Sequence, residues 1–130
     1  MSASSPQLWL VRHGETEWSA AGRHTSTTDL PLTASGEATA SALRPVLSGR
    51  SFTHVLSSPR LRARRTAELA GFADVEVDDD LAEWDYGRYE GVTTPEIRET
   101  VPDWTIWTGD VSGGETSAQV AARLDRVVER

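Results

Sequence analysis

The chain has 130 residues, enough for one domain, and its Lys+Arg 13 against Asp+Glu 20 give a net charge of −7. That acidity argues against a nucleic-acid or anionic-membrane binder, while leaving room for a local cationic pocket. With Cys 0, disulfides and thiolate metal sites are excluded, and no apolar run approaches the ~20 residues of a membrane span.

Residues 1–7 are polar, lack the basic and apolar regions of a secretory leader, and read as a flexible tail, so a cytoplasmic location is expected. Leu8-Trp9-Leu10-Val11 is an apolar run that predicts a buried strand, ending at Arg12-His13-Gly14. Residues 19–32, rich in Ser, Thr, Gly and Pro, predict an irregular loop. A helix is predicted from Thr33 to about Leu47, carried by Ala38, Ala42 and Val46 at i,i+4 spacing and closed by Gly49. Thr53–Ser57 predicts a second strand. Ser58-Pro59 then reads as a cap and first helical residue, with the helix reaching about Ala70 and ending at Gly71. Val75–Val77 predicts a short strand, residues 78–95 an acidic loop, and Thr94-Pro95-Glu96 the start of a short helix. From about Glu115 to Arg130, Val120, Leu124, Val127 and Val128 line one face of an amphipathic helix. Strands alternating with helices predict an α/β domain with a parallel sheet.

In such sheets ligands sit at the carboxyl ends of the strands, where Arg12 and His13 would present a fixed cation and an imidazole. Gly14 would allow a sharp turn there. Taken alone, the tripeptide is just a strand ending in two polar residues. A second segment, Ser57-Ser58-Pro59-Arg60-Leu61-Arg62-Ala63-Arg64-Arg65-Thr66-Ala67, again runs from strand to capped helix and crowds four arginines into its first turns. Helix N-termini do not favour cations. Arg60, Arg64 and Arg65 read as a solvated face and Arg62 as a site residue. A third segment, Leu81 to Gly91, mixes the carboxylates of Glu83, Asp85 and Glu90 with Trp84, Tyr86 and Tyr89, a setting suited to a general acid. A fourth, Ser112-Gly113-Gly114-Glu115-Thr116, is a tight turn opening the last helix.

In this order and combination the segments resemble the histidine phosphatase superfamily, the phosphoglycerate-mutase-like proteins, over nearly the whole chain. The resemblance implies a three-layer α/β/α sandwich with a mostly parallel central sheet. It implies that His13 is a nucleophile forming phosphohistidine, Arg12 and Arg62 clamp the phosphate, and Glu83 is the proton donor. Ser19 stands where many members carry a phosphate-binding asparagine. Gly14, Thr16, His24, Thr25, Trp84 and Tyr86 are the implied pocket residues. No metal or cofactor is implied. The family also has a second pocket histidine on a later central strand, a context that neither His24 nor His54 shares. The chain is therefore expected to be the N-terminal portion, 1–130, of a histidine-phosphatase-type domain, with weak or no activity and a rearranged or partner-completed sheet on its own.

The compact run Glu83-Trp84-Asp85-Tyr86-Gly87 resembles the phosphatase branch, in particular actinobacterial acid phosphatases, rather than the mutases, which insert a longer segment there. The expectation is a metal-independent phosphomonoesterase acting on a phosphorylated small molecule, without nucleic-acid or membrane partners and with a homodimer by analogy. A phosphoglycerate mutase and a non-catalytic phospho-ligand module are the alternatives. The tryptophan-rich tract Pro102–Trp107 fits a pocket wall and plain core packing equally.

Overall fold

The protein is described by a computed structural model over residues 5–130, so residues 1–4 of the expected tail lie outside the described residues. In chain order the elements are α1 (Glu17–Ala20), α2 (Ala34–Ala42), α3 (Arg44–Leu47), β1 (Leu56–Ser57), α4 (Leu61–Leu69), β2 (Glu76–Val77), α5 (Thr94–Arg98) and α6 (Ser117–Val128). Short 3-10 turns cover Asp79–Leu81 and Gly87–Tyr89. The sheet is the parallel pair β1–β2, with Leu56 opposite Glu76 and Ser57 opposite Val77. Helix α4 makes the crossover between them and packs on both α2 and β1.

Local chemistry accounts for most boundaries, and for the places where they differ from expectation. The helix predicted over 33–47 is two pieces. Thr33 caps α2 by accepting from Gly36 N, but Pro45 has no amide proton to continue the ladder, and the chain restarts as α3. Helix α4 begins two residues later than Ser58-Pro59 suggests. Arg60 takes the cap position with extended dihedrals, and the free amide of Leu61 is met at 2.8 Å by Asp29 Oδ1 from the preceding loop. Its end is as expected: Gly71 has φ +104, and Phe72 N closes on Ala67 O. Thr93 rather than Thr94 caps α5, and Thr116 caps α6, each in a reciprocal box with the residue three on. Helix α1 falls at the edge of the expected loop, where Thr16 and Ser19 form the same kind of box.

The largest departure is Leu8–Val11. It is not a strand: among the described residues no backbone–backbone hydrogen bond involves it, and Leu8 and Leu10 are 74% and 85% exposed. An apolar run becomes a strand only where a neighbouring backbone takes up its amides and carbonyls, and none lies beside it here. The segment is held instead by side chains. Trp9 meets Phe52 edge-on at 5.9 Å and carries the Arg50 guanidinium over its face, and Phe52 in turn meets Phe72. An apolar crevice floored by Leu47, Leu56, Ala67 and Ala70 runs alongside it.

The core is small and unusually polar. Leu32, Ala40, Leu47, Ala70, Trp84, Ile97 and Trp104 share it with Thr16, Ser26, Ser57, Arg62, Thr66, Asp78 and Arg123. Helix α6 shows the same character. Leu124 and Val128 of its expected apolar face are exposed, and the residue it buries is Arg123. No helix among the described residues is long and apolar enough to cross a membrane.

Candidate active site

The site begins with a close approach of backbones. Gly14 and Gly36 lie against one another so tightly that a Cβ on Gly14 would strike Gly36, and one on Gly36 would strike Glu15. The approach sets the first motif against α2. Thr66 of α4 fixes it from another side: its hydroxyl accepts from Gly14 N at 3.0 Å and donates to Arg62 O at 2.7 Å.

Between these supports His13 is half-buried, with Nδ1 2.7 Å from Gly14 O. A carbonyl only accepts, so Nδ1 carries the proton and Nε2 keeps its lone pair. Burial pulls the imidazole below its ordinary pKa of 6.5, and the guanidiniums of Arg62 and Arg12 add to that; the Gly14 carbonyl and Glu83 oppose it. Its lowered pKa favours the neutral ring, with a free nitrogen under the influence of two guanidiniums.

Arg62 is 2% exposed. Its Nη1 donates to Thr28 O at 2.9 Å, and its Nη2 to Ser26 O at 3.0 Å and Thr25 O at 3.3 Å. This leaves the Nε–H and one Nη1–H for a ligand. Burial lowers its pKa, while Glu83 is the leading influence in the other direction. Arg12, in contrast, is exposed and free to move onto an anion.

Glu83 is exposed, and its Oε1 accepts from Trp84 N at 2.7 Å. Tyr86 stands beside it. Burial and the Glu83 carboxylate push the phenol pKa well up, so Tyr86 stays a donor facing that carboxylate. Its ring meets His24 edge-on at 4.8 Å, and His24 is fixed by Nδ1 donating to Val92 O at 2.6 Å and by an edge contact with Trp104. His24 and Tyr86 thus form one wall, and Trp104 of the tryptophan-rich tract is its buried backing.

Electrostatic influence ties His13, Arg12, Arg62 and Glu83 together in one place, with Tyr86 at its margin. Other expected pocket residues have structural occupations. Ser19 Oγ donates to Thr16 O and accepts from Thr16 N, while Thr16 is fully buried as the cap of α1. The Thr25 hydroxyl donates to Arg23 O. Trp84 is buried, with its indole N–H on Glu115 O and its ring edge-on to Trp107. His54 lines the apolar crevice. Among the described residues no cluster of three His, Asp or Glu side chains is placed to hold a metal ion.

Sequence reasoning missed the residues that hold the site from behind. Glu90 accepts from Ser26 N and Thr28 N, and Arg123 of α6 donates to Asp80, Ala82 and Glu83 carbonyls while pairing with Glu115. Glu90 lay within the acidic-loop motif, a signal with no role attached. The eight-residue spacing of Glu115 and Arg123 gave none. Arg60, read as solvated, has a buried Nε with no acceptor among the described residues.

The profile of the histidine phosphatase superfamily (branch 1) matches residues 8–130. An acid phosphatase of Mycobacterium tuberculosis is 47% identical over 130 residues, which is 98% of this chain and 64% of that protein. A sedoheptulose 1,7-bisphosphatase of Saccharomyces cerevisiae is 40% identical over 154 residues, covering 100% of this chain and 57% of its own. The chain thus spans 64% and 57% of the length of these two relatives. The solved structure of an open reading frame of Mycobacterium tuberculosis superposes with a TM-score of 0.84 at 48% identity, over 90% of this chain and 62% of that one.

Proposed function

Because the chain belongs to the histidine phosphatase superfamily (branch 1), we propose that it provides the nucleophile, phosphate clamp and proton donor of a phosphomonoesterase. The supporting observation is the His13 hydrogen bond to Gly14 O, which leaves Nε2 unprotonated beside two guanidiniums.

In this reading the phosphate of a monoester settles between Arg12 and the free N–H groups of Arg62. Their charge balances the negative charge on the transferring phosphoryl group. His13 Nε2 attacks phosphorus in line, the P–O bond to the alcohol breaks, and the electron pair leaves on the alkoxide. Glu83, which enters this step as the carboxylic acid, delivers its proton to that oxygen. The product is N-phosphohistidine, a covalent intermediate that divides one hard displacement into two easier ones. Glu83, now a carboxylate, takes a proton from water as the water attacks phosphorus. The P–N bond breaks, inorganic phosphate forms, and both His13 and Glu83 return to their starting states. The arginines supply the positive charge this chemistry needs, without a metal or cofactor. The fold reading that goes with it is the three-layer α/β/α sandwich with a mostly parallel central sheet. The similarity of superposed structures supports that reading.

The site favours a small phosphate ester. Asp85, two residues after Glu83, would repel a second anion. Bisphosphoglycerate-dependent transfer between positions of a sugar acid is therefore the second choice. The test is turnover of p-nitrophenyl phosphate and a panel of sugar phosphates, with rapid quench and ³²P trapping of an acid-labile, base-stable phosphoprotein. Label and turnover should both vanish in His13→Ala. Equal turnover in that variant rejects the reading, and phosphate binding without label leaves only a ligand-binding module.

A further inference from the structure

Glu83 is an exposed side chain on an irregular loop, yet a general acid has to meet the leaving oxygen within hydrogen-bond reach. Its backbone explains how this is achieved. Two donors converge on the Glu83 carbonyl, Ser26 Oγ at 2.9 Å and Arg123 Nη2 at 3.2 Å. Arg123 also binds two carbonyls of the preceding turn, Ala82 at 2.6 Å and Asp80 at 2.8 Å. Glu115 grips the two residues just after it. Its Oε1 accepts from Asp85 N at 2.9 Å and its carbonyl from Trp84 Nε1 at 2.9 Å, while both carboxylate oxygens hold Arg123.

Ser26 extends this grip to the phosphate clamp. It is 1% exposed, its carbonyl accepts from Arg62 Nη2, and its amide is held by both oxygens of Glu90. The cation and the acid are therefore joined through a single buried serine. We propose that Ser26 and Arg123 are positioning residues for Glu83, converging on its backbone carbonyl so that the carboxyl is held in register with Arg62. The proposal rests on the reading of Glu83 as proton donor.

Leaving-group dependence tests it. An alkyl phosphate needs protonation as it departs and a p-nitrophenyl ester does not, so displacing Glu83 should lower kcat/KM for the first only. Ser26→Ala removes one hydroxyl from a buried site and is the milder variant; Arg123→Gln removes the other donor. In each, kcat/KM for glycerol 3-phosphate should fall about tenfold or more, while that for p-nitrophenyl phosphate stays within about threefold. In a Glu83→Gln background, Ser26→Ala should cost nothing further with the alkyl ester. Equal losses for both esters, no loss with Ser26→Ala, or an additional loss in the Glu83→Gln background would each overturn the proposal. The premise is checked separately. Glu83→Gln with a wild-type ratio of the two esters would overturn the proton-donor reading and this inference with it. A selective loss in Glu83→Gln without one in Ser26→Ala would overturn the inference alone.

Discussion

The protonation state of His13 links the site to pH with a definite sign. Its pKa is lowered in the folded chain, first by burial and then by Arg62 and Arg12, so the imidazole gains its proton at a lower pH than a free histidine does. The acid limb of kcat/KM, which reports the free enzyme, should lie below pH 6.5, and the His13 ring protons should titrate there by NMR. Arg12→Gln removes one of the opposing charges and should move that midpoint upward; a midpoint unchanged in this variant would contradict the electrostatic account. The same shift makes stability fall as pH drops from 6.5 toward the folded-state pKa, because the unfolded chain binds the proton more readily. His13→Asn should remove that part of the slope in pH-dependent urea melts. The two arginines should separate in their effects. Arg12→Ala should cost roughly 10²–10³ in kcat/KM with little change in melting. Arg62→Ala also breaks three bonds from a buried guanidinium to loop carbonyls and should lose about 2 kcal/mol or more in denaturant titrations. His13, Arg12, Arg62 and Glu83, which the structure brings together, were legible in the sequence because each stands in a motif of distinctive residue types. Ser26 and Arg123 were not, since they act on backbone carbonyls, which every residue carries.

At the level of elements, caps decide where helices begin, and they are local only when the capping side chain is. Thr33, Thr93 and Thr116 are of that kind and fell within a residue or two of their expected places. The start of α4 is not: its first amide is satisfied by Asp29, thirty-two residues upstream, so the persuasive Ser58-Pro59 pair misplaced it. Asp29→Ala should therefore destabilise the chain by about 1 kcal/mol in urea unfolding, with a smaller effect from Ser58→Ala, whose hydroxyl only accepts from Arg60 N at 3.3 Å. The reverse result would restore the local cap. Helix α6 carries the same lesson in its side chains. Its spacing announces an apolar face, but burial depends on what the helix meets, and it meets a loop whose carbonyls want a guanidinium. Gly36 shows what neither spacing nor composition reveals, a helix held against the Glu15 backbone with no room for a methyl group.

Across the whole molecule, alternation of strand and helix predicted the α/β class, and the parallel β1–β2 pair with α4 between them follows from it. The strand expected at Leu8–Val11 could not be judged from its own residues, because pairing is supplied by whatever lies next to it. Hydrogen exchange should show this division along the chain. Amides of residues 8–12 should exchange fast, and that of Gly14, bonded to the buried Thr66, slowly. Slow exchange throughout 8–12 would mean that a backbone partner is present in solution. The open apolar run also has a colloidal consequence. Charge repulsion between copies of this chain disappears near its pI of 4.9, on the acid side of neutrality. Light scattering should accordingly rise as pH approaches 4.9, and Leu10→Lys should suppress it by placing a charge in the run. On its acid side the chain is then limited by solubility as well as by protonation of His13, and four exposed side chains at Leu8–Val11 set the first of these limits.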